Sequence, residues 1–491
     1  MTSLGNLLPS RRSLWIGCAA VLLFLTAACF FVKRDVTESG NESSRLAVVQ
    51  SLVDNGTFDI RGSIFHTPDK AVYRGGLYGD KPPLLTWLTA GWYFVLAKGF
   101  GLTFESHFPL VMFLINLLYF LTAAGTGILF YLAYTRAAEG FTSVRTRAAV
   151  SVLAILSTLV FSYSVTINNH TPCALLLMLL LLQLQKAEDA AWRMRDSFFC
   201  GVTAGLIFNC EFVLGGVYGL CVFVLCVTAP GEGRIRLRRA AAYAAGGALL
   251  LALEAGMNAV SYGSPLPLYL LSHKPDMVHK DYLRYAWDIL FGCEGFFLYM
   301  PACLFLFLVL LRRFPGKDRV CACMLSGALG AALLFAVVTS DYGGFCYGFR
   351  FLIPLAPVLL FYVFLSFQVR RKKGLCGFLF ALALFWGVVT SLTGTMNPWN
   401  SGYEGSRTQP GHFREKVRNG FLSNVLVFTF DHAPRCALSR FLIDRVYGKD
   451  IAFLYLYEEY KNRHSADGME RVIRFYETWD PAPPPGEAAA P

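Results

Sequence analysis

Charge is what this 491-residue chain has least of: Asp, Glu, Lys and Arg make up only 16% of it, against about a quarter in an ordinary soluble domain. With 55% hydrophobic residues, a soluble globule of this length would leave too much apolar surface uncovered, so that class is excluded. The sequence also lacks a His/Cys cluster at metal-ligand spacing, and no Asp-x-Asp pair stands on its outer loops. Metal-independent chemistry with no cofactor is the expectation. The formal net charge of +11 invites a nucleic-acid partner. No zinc-finger spacing and no separable basic domain support one, so nucleic acid is set aside. No internal repeat at solenoid spacing is present either.

What the sequence has instead is long uncharged runs. Ser13 to Val32, Pro109 to Tyr134 and Leu375 to Leu392 carry no charge and match the roughly 20 residues that cross a hydrocarbon core. The basic residues fall in short clusters between such runs, as the positive-inside rule requires of cytoplasmic loops. Placing Arg11 and Arg12 inside puts Arg136/Arg145/Arg147, Lys186/Arg193/Arg195, Arg234 to Arg239, Arg312 to Arg319 and Arg370 to Lys373 inside as well. This holds only if the apolar piece Leu84 to Ala97 lies on the membrane surface rather than crossing it, a place that suits Trp87, Trp92 and Tyr93.

The expectation is therefore an all-α polytopic membrane protein of about eleven spans: 13–32, 109–135, 148–166, 171–185, 197–211, 213–229, 239–258, 295–312, 319–339, 350–367 and 374–394. The N-terminus is cytoplasmic and the C-terminus outside. Residues 1–395 form the membrane domain, with 33–108 as its first outer loop; 396–479 is a partly helical outer tail, and 480–491 a Pro/Ala-rich end without fixed structure. Thr26 to Cys29 has the look of a lipoprotein cleavage site, but the apolar run continues past it, so the first helix is expected to stay uncleaved. Most of the 14 cysteines sit in apolar runs as small buried hydrophobes. Cys293 and Cys346 are open to a disulfide.

The first outer loop is the richest in chemistry. Asn41-Glu42-Ser43-Ser44-Arg45 leads into apolar positions 46, 49, 52 and 53, the pattern of a short helix lying on the membrane. Glu42 is either a general base at the membrane surface or a dipole partner in a helix capped by Asn41. The loop ends in Gly79-Asp80-Lys81-Pro82-Pro83-Leu84. Helix punctuation explains Asp80 and Pro82. It does not require Lys81, which at headgroup level suits an anion such as a lipid phosphate. Farther on, His170 and Asn169 stand in Asn168-Asn-His-Thr-Pro172, either a helix start or an acceptor contact. Glu211 is an acid at membrane depth, which favours a functional role or a place in a polar network. Arg350, in the company of Tyr347, is either a snorkelling side chain or a headgroup contact.

These pieces, in this order, resemble one family. An acid just after the first span, a helix of the form Arg-x-Ala followed by Leu-Val-x-x-Gly-Thr, then Tyr-x-Asp-Lys-Pro-Pro-Leu, and later Tyr347-Gly-Phe-Arg350-Phe-Leu-Ile-Pro354 are similar to the GT-C superfamily of membrane glycosyltransferases. The similar branch is that of protein mannosyltransferases and aminoarabinose transferases, over roughly residues 13–395.

The resemblance implies sugar transfer from a polyprenyl-phosphate donor to an acceptor on the outer side of a plasma membrane, with membrane lipids as surroundings. It gives Glu42 the place of the acid that deprotonates the acceptor, Lys81 a phosphate contact and Arg350 a second cationic contact. The chain departs from the family in carrying Glu42-Ser43 where relatives have Asp, often followed by Glu. It also has Asn168-Asn169-His170 where relatives often place an Asp, and Glu211 where many have Lys. Two other readings stay open: a transporter or flippase of a lipid-linked or anionic substrate, and a GT-C-like scaffold that binds a lipid-linked sugar without transferring it.

Overall fold

The computed structural model describes residues 11–31, 39–138, 143–268, 271, 281–310, 319–339, 343–344, 346–370, 374–399, 420–462 and 465–478. Asp341 and Tyr342, the basic residues Arg312, Arg313, Lys317 and 371–373, and the 480–491 end lie outside them.

The molecule is an all-α membrane protein. In chain order its first ten helices are α1 (Arg11–Phe31), α2 (Gly40–Asp54), α3 (Pro83–Phe94), α4 (Phe104–Ala137), α5 (Val144–Leu156), α6 (Leu159–Tyr163), α7 (His170–Asp189), α8 (Met194–Cys210), α9 (Phe212–Thr228) and α10 (Gly233–Tyr262). Among the described residues seven helical stretches are long and apolar enough to cross a membrane. They are Arg11–Ala28, Phe104–Ala137, His170–Asp189, Gly233–Tyr262, Arg319–Val338, Arg350–Phe367 and Leu375–Met396.

The other expected spans are shorter or broken. The 148–166 span divides into α5 and α6, because the Thr158 hydroxyl turns back to the carbonyl of Ile155 at 2.9 Å and Ser157 and Thr158 leave the helix. The freed Thr158 carbonyl is satisfied by the Ser391 hydroxyl at 2.7 Å. That arrangement is tolerated at membrane depth only when buried in protein. The 295–312 span is broken at Pro301, which removes a ladder donor and turns the chain into a 3-10 segment, Pro301–Leu306.

The expected inner loops gather at one end. Arg136 pairs with Asp189, Arg239 donates to the carbonyls of Pro230 and Ala191 at 2.8 and 2.9 Å, and Arg319 donates to Thr228 Oγ1 at 3.1 Å. The expected outer loops meet at the other end, where Asn169 reaches Cys210, and Gly348 and Gly420 share one acid, Glu294. Leu84–Ala97 does not cross between the two ends. It is α3 plus a π-turn, and its Tyr93 hydroxyl joins Asp54, before it in the chain, to the Phe104 backbone, after it. Tyr93 is fully buried rather than interfacial.

Helices α8 and α10 cross where both lack side chains. A Cβ on Gly201 would lie 2.0 Å from the Tyr243 carbonyl oxygen, and one on Gly246 2.2 Å from that of Phe198. Small residues at such a crossing allow the backbone contact that replaces the hydrophobic effect in lipid. Gly201→Leu is therefore expected to force the two helices apart, which would appear as loss of folded, monodisperse protein after solubilisation. Wild-type yield and thermal midpoint would contradict this account of the packing.

Beyond the last span, Gly420–His432, Ala437–Phe441, Lys449–Asn462 and Ala466–Glu477 form a helical unit around Leu426, Phe430, Ile443, Leu456 and Val472. Cys293 and Cys346 are not joined by a disulfide, the pairing the sequence left open; Cys346 Sγ donates to the Gly348 carbonyl at 3.2 Å.

Candidate functional site

The site is assembled on α2. Ser39, not Asn41, caps this helix, accepting from the Glu42 amide at 3.1 Å. Asn41 instead accepts from Arg45 Nε at 3.4 Å. Nor does α2 lie with one greasy face on the membrane. Leu46 and Val49 are buried, but so are the polar residues Asn41 to Arg45, Gln50 and Ser51. Its polar side faces protein: the loop before α7 on one flank and a hairpin on the other.

That hairpin, β1 (Lys70–Tyr73) and β2 (Gly76–Gly79), is the one piece of sheet among the described residues. Arg74 and Gly75 have φ of 48° and 80°, both positive, as a type I′ two-residue turn demands. At the end of β2, Gly79 touches α2 so closely that a Cβ would lie 2.9 Å from the Ser44 carbonyl oxygen. This contact sets Asp80 and Lys81 beside α2. Asp80 accepts from Ser44 Oγ at 3.4 Å and forms an ion pair with Lys81 Nζ at 3.1 Å, and so is not a helix cap; Pro82 starts α3 without a side-chain cap. Lys81 Nζ also meets Asp69 at 2.9 Å. The ammonium is thus flanked by two carboxylates.

Glu42 is 3% exposed. Its Oε1 accepts from the Thr166 hydroxyl and from the Ile167 amide at 3.1 Å, while Oε2 is buried with no hydrogen-bond partner among the described residues. Burial pushes its carboxyl up to about 7, although the bonds from Thr166 and Ile167 pull the other way. One turn along, Arg45 is 2% exposed and its Nη1 is likewise unpartnered.

Across the pocket Glu211, at the junction of α8 and α9, accepts from Asn169 Nδ2. His170 is 1% exposed; its Nδ1 lies 3.4 Å from Glu211 Oε1 but out of line, and neither ring nitrogen makes a hydrogen bond among the described residues. Arg350 stands over Phe351 and Trp399, its carbon 5.2 and 5.5 Å from the ring centres, with a buried, unpartnered Nε. Arg350, Arg45 and Lys81 all lie near enough to act on the charge of Glu211, so the three cations are grouped around it.

Glu42, Asp80, Lys81, Asn169, His170, Glu211 and Arg350 are thus brought together. Tyr347 is not: it is fully buried, and its hydroxyl donates to the Thr390 carbonyl at 2.7 Å, inside the bundle. Four residues carried no earlier assignment. Arg45 is detectable as a cation one helical turn from Glu42. Thr166 has no sequence signal, Trp399 reads as an ordinary aromatic at a span end, and Glu294, which accepts from Tyr299, Gly348 and Gly420, lies in an unpatterned loop.

A cleft lined by Ser44, Tyr78, Lys81, Trp87 and Asn258 opens beside α2. It adjoins a largely apolar cavity of about 350 Å³ between α8, α9 and α10, lined by Phe208, Phe212, Leu251, Glu254 and Pro265; Phe212, Asn258 and Pro267 belong to both. Among the described residues no group of three or more His, Cys, Asp or Glu is placed to hold a metal ion.

No family model matches the sequence, and no curated protein matches it significantly. The fold does match solved structures. ArnT from Cupriavidus metallidurans in the apo state, an aminoarabinose transferase of the GT-C class, superposes with a TM-score of 0.53 at 14% identity, covering 94% of this chain and 75% of that one. A second structure of that protein, bound to undecaprenyl phosphate, gives 0.48 at 14% identity over 94% and 77%. At this identity the first likeness shows a common fold.

Proposed function

We propose that the protein is a membrane glycosyltransferase that moves a sugar from a polyprenyl-phosphate donor to a hydroxyl acceptor on the non-cytoplasmic side. The observation that carries this reading is Glu42: a buried carboxylate with one oxygen held by two donors and the other unpartnered among the described residues, on the same helix as Arg45 and near the cations grouped around Glu211. In the reaction the acceptor oxygen attacks the anomeric carbon and its proton passes to Glu42 Oε2. The bond from that carbon to the phosphate oxygen breaks, and the polyprenyl phosphate leaves with its charge met by Arg45, Arg350 and Lys81. The apolar cavity beside the cleft offers the polyprenyl chain a path to the lipid. The shared fold with ArnT supports the same assignment.

The test of the phosphate role is Lys81→Ala, which should weaken donor binding about ten-fold and leave the acceptor KM unchanged. Equal effects on donor and acceptor would reduce Lys81 to a structural tie between Asp69 and Asp80. The orientation that places the site outside is tested by Arg195→Cys in a Cys293→Ser background. A membrane-impermeant maleimide should label it from the cytoplasmic face alone; labelling from outside would invert the assignment.

A further inference from the structure

The segment that follows the last span makes contacts that a simple linker would not. Trp399 is 8% exposed, and its indole Nε1 donates to Thr166 Oγ1 at 2.8 Å. An indole N–H only donates, so the Thr166 oxygen must accept there. Its single proton is then left for Glu42 Oε1, the bond Thr166 makes. With the Ile167 amide on the same oxygen, Oε1 is filled and Oε2 is the oxygen free to take a proton. The face of the same indole lies 5.5 Å from the guanidinium carbon of Arg350, a cation–π distance. One side chain therefore touches the supports of both the acid and a cation of the pocket.

Trp399 is in turn fixed from outside. Its amide donates to Asn397 Oδ1 at 3.1 Å, while Asn397 Nδ2 lies 2.9 and 3.1 Å from the two carboxylate oxygens of Glu459 in the outer helical unit. Asn424, on that unit's first helix, donates to the carbonyls of Thr393 and Asn397 at 3.0 and 3.3 Å.

We infer that Trp399 is a positioning residue for the acid of the site, acting through Thr166, and that the outer helical unit holds it there through Glu459. This deepens the glycosyltransferase reading and rests on it for its consequence in turnover, though not for its geometry. Trp399→Phe removes the N–H and keeps an aromatic face for Arg350. Thr166 then loses the donor that orients it, and its bond to Glu42, which favours the ionised carboxylate, weakens. Trp399→Leu removes both contacts.

The experiment is an infrared pH titration of the Glu42 carboxyl, isolated by subtracting the Glu42→Gln spectrum, in wild type and in Trp399→Phe, with donor KM and kcat measured on the same preparations. The expected result is a titration midpoint raised by about half a pH unit or more, and a kcat lowered about ten-fold with donor KM unchanged. Trp399→Leu should raise donor KM as well, and Glu459→Leu should move the midpoint in the same direction by less. An unchanged midpoint in Trp399→Phe would overturn the inference. A shifted midpoint in a protein that transfers no sugar would uphold the positioning and remove the transferase reading instead.

Discussion

Glu42→Gln should lower sugar transfer by roughly 10³-fold, within the range that a positioned general base supplies, while donor binding stays near wild type and the protein stays folded. Glutamine keeps the oxygen that accepts from Thr166 and Ile167, so the fold is undisturbed, but it has no basic oxygen to receive the acceptor proton. The pH dependence gives the same residue a second signature. Its carboxyl is pushed up to about 7 by burial, and the base works only when ionised. In wild type kcat/KM should therefore climb through a limb centred near pH 7 and flatten above it. The linkage runs the other way for stability: a carboxyl whose folded value is raised favours the folded state at low pH, and that contribution is lost as pH rises through about 7. Glu42→Gln should remove this loss, so the variant gains on wild type above pH 7. Transfer by Glu42→Gln at more than a tenth of the wild-type rate would exclude Glu42 as the base.

Arg45→Met should make the ligand-free protein more stable and the donor bind more weakly. A 2% exposed guanidinium with an unpartnered Nη1 is a buried charge without full compensation. Replacing such a group by an apolar one of similar length is stabilising, in favourable cases by about 1–4 kcal/mol. The same nitrogen is what a phosphate oxygen would meet, and a hydrogen bond to a charged group is worth about 1.5–3 kcal/mol. The expectation is a donor affinity lowered about ten- to a hundred-fold alongside a raised thermal midpoint. Binding and stability falling together would show that Arg45 only ties α2 to its neighbours.

The spans were legible because the bilayer imposes them: about 20 uncharged residues are needed to cross, and basic residues avoid translocation. For the same reason the Leu84–Ala97 piece was readable as non-spanning, since counting it as a span would put Arg136, Arg145 and Arg147 outside. The Ser157–Thr158 break was not legible, because a helix gives way there only with Ser391 on the opposite span ready to take the freed carbonyl.

The site divides in the same way. Glu42, Lys81 and Arg350 were visible as ionisable residues where an apolar pattern does not need them. Lys81 proved to be shared between Asp69 and Asp80, a pairing made by the hairpin, whose Arg74-Gly75 turn is a two-residue signal outside any hydrophobic period. Tyr347 was drawn to the site by its closeness in sequence to Arg350, yet its side chain points into the bundle toward Thr390. Thr166 and Trp399 are joined across 233 residues of chain, and no local pattern records such a contact.

The most direct measurement of the central claim is sugar transfer by the purified protein in lipid vesicles, offered a panel of radiolabelled polyprenyl-phosphate sugars, with Glu42→Gln run beside it. Transfer or donor hydrolysis in wild type, lost in Glu42→Gln, is the predicted result. A donor that binds without reacting, or turnover that survives the substitution, would contradict it.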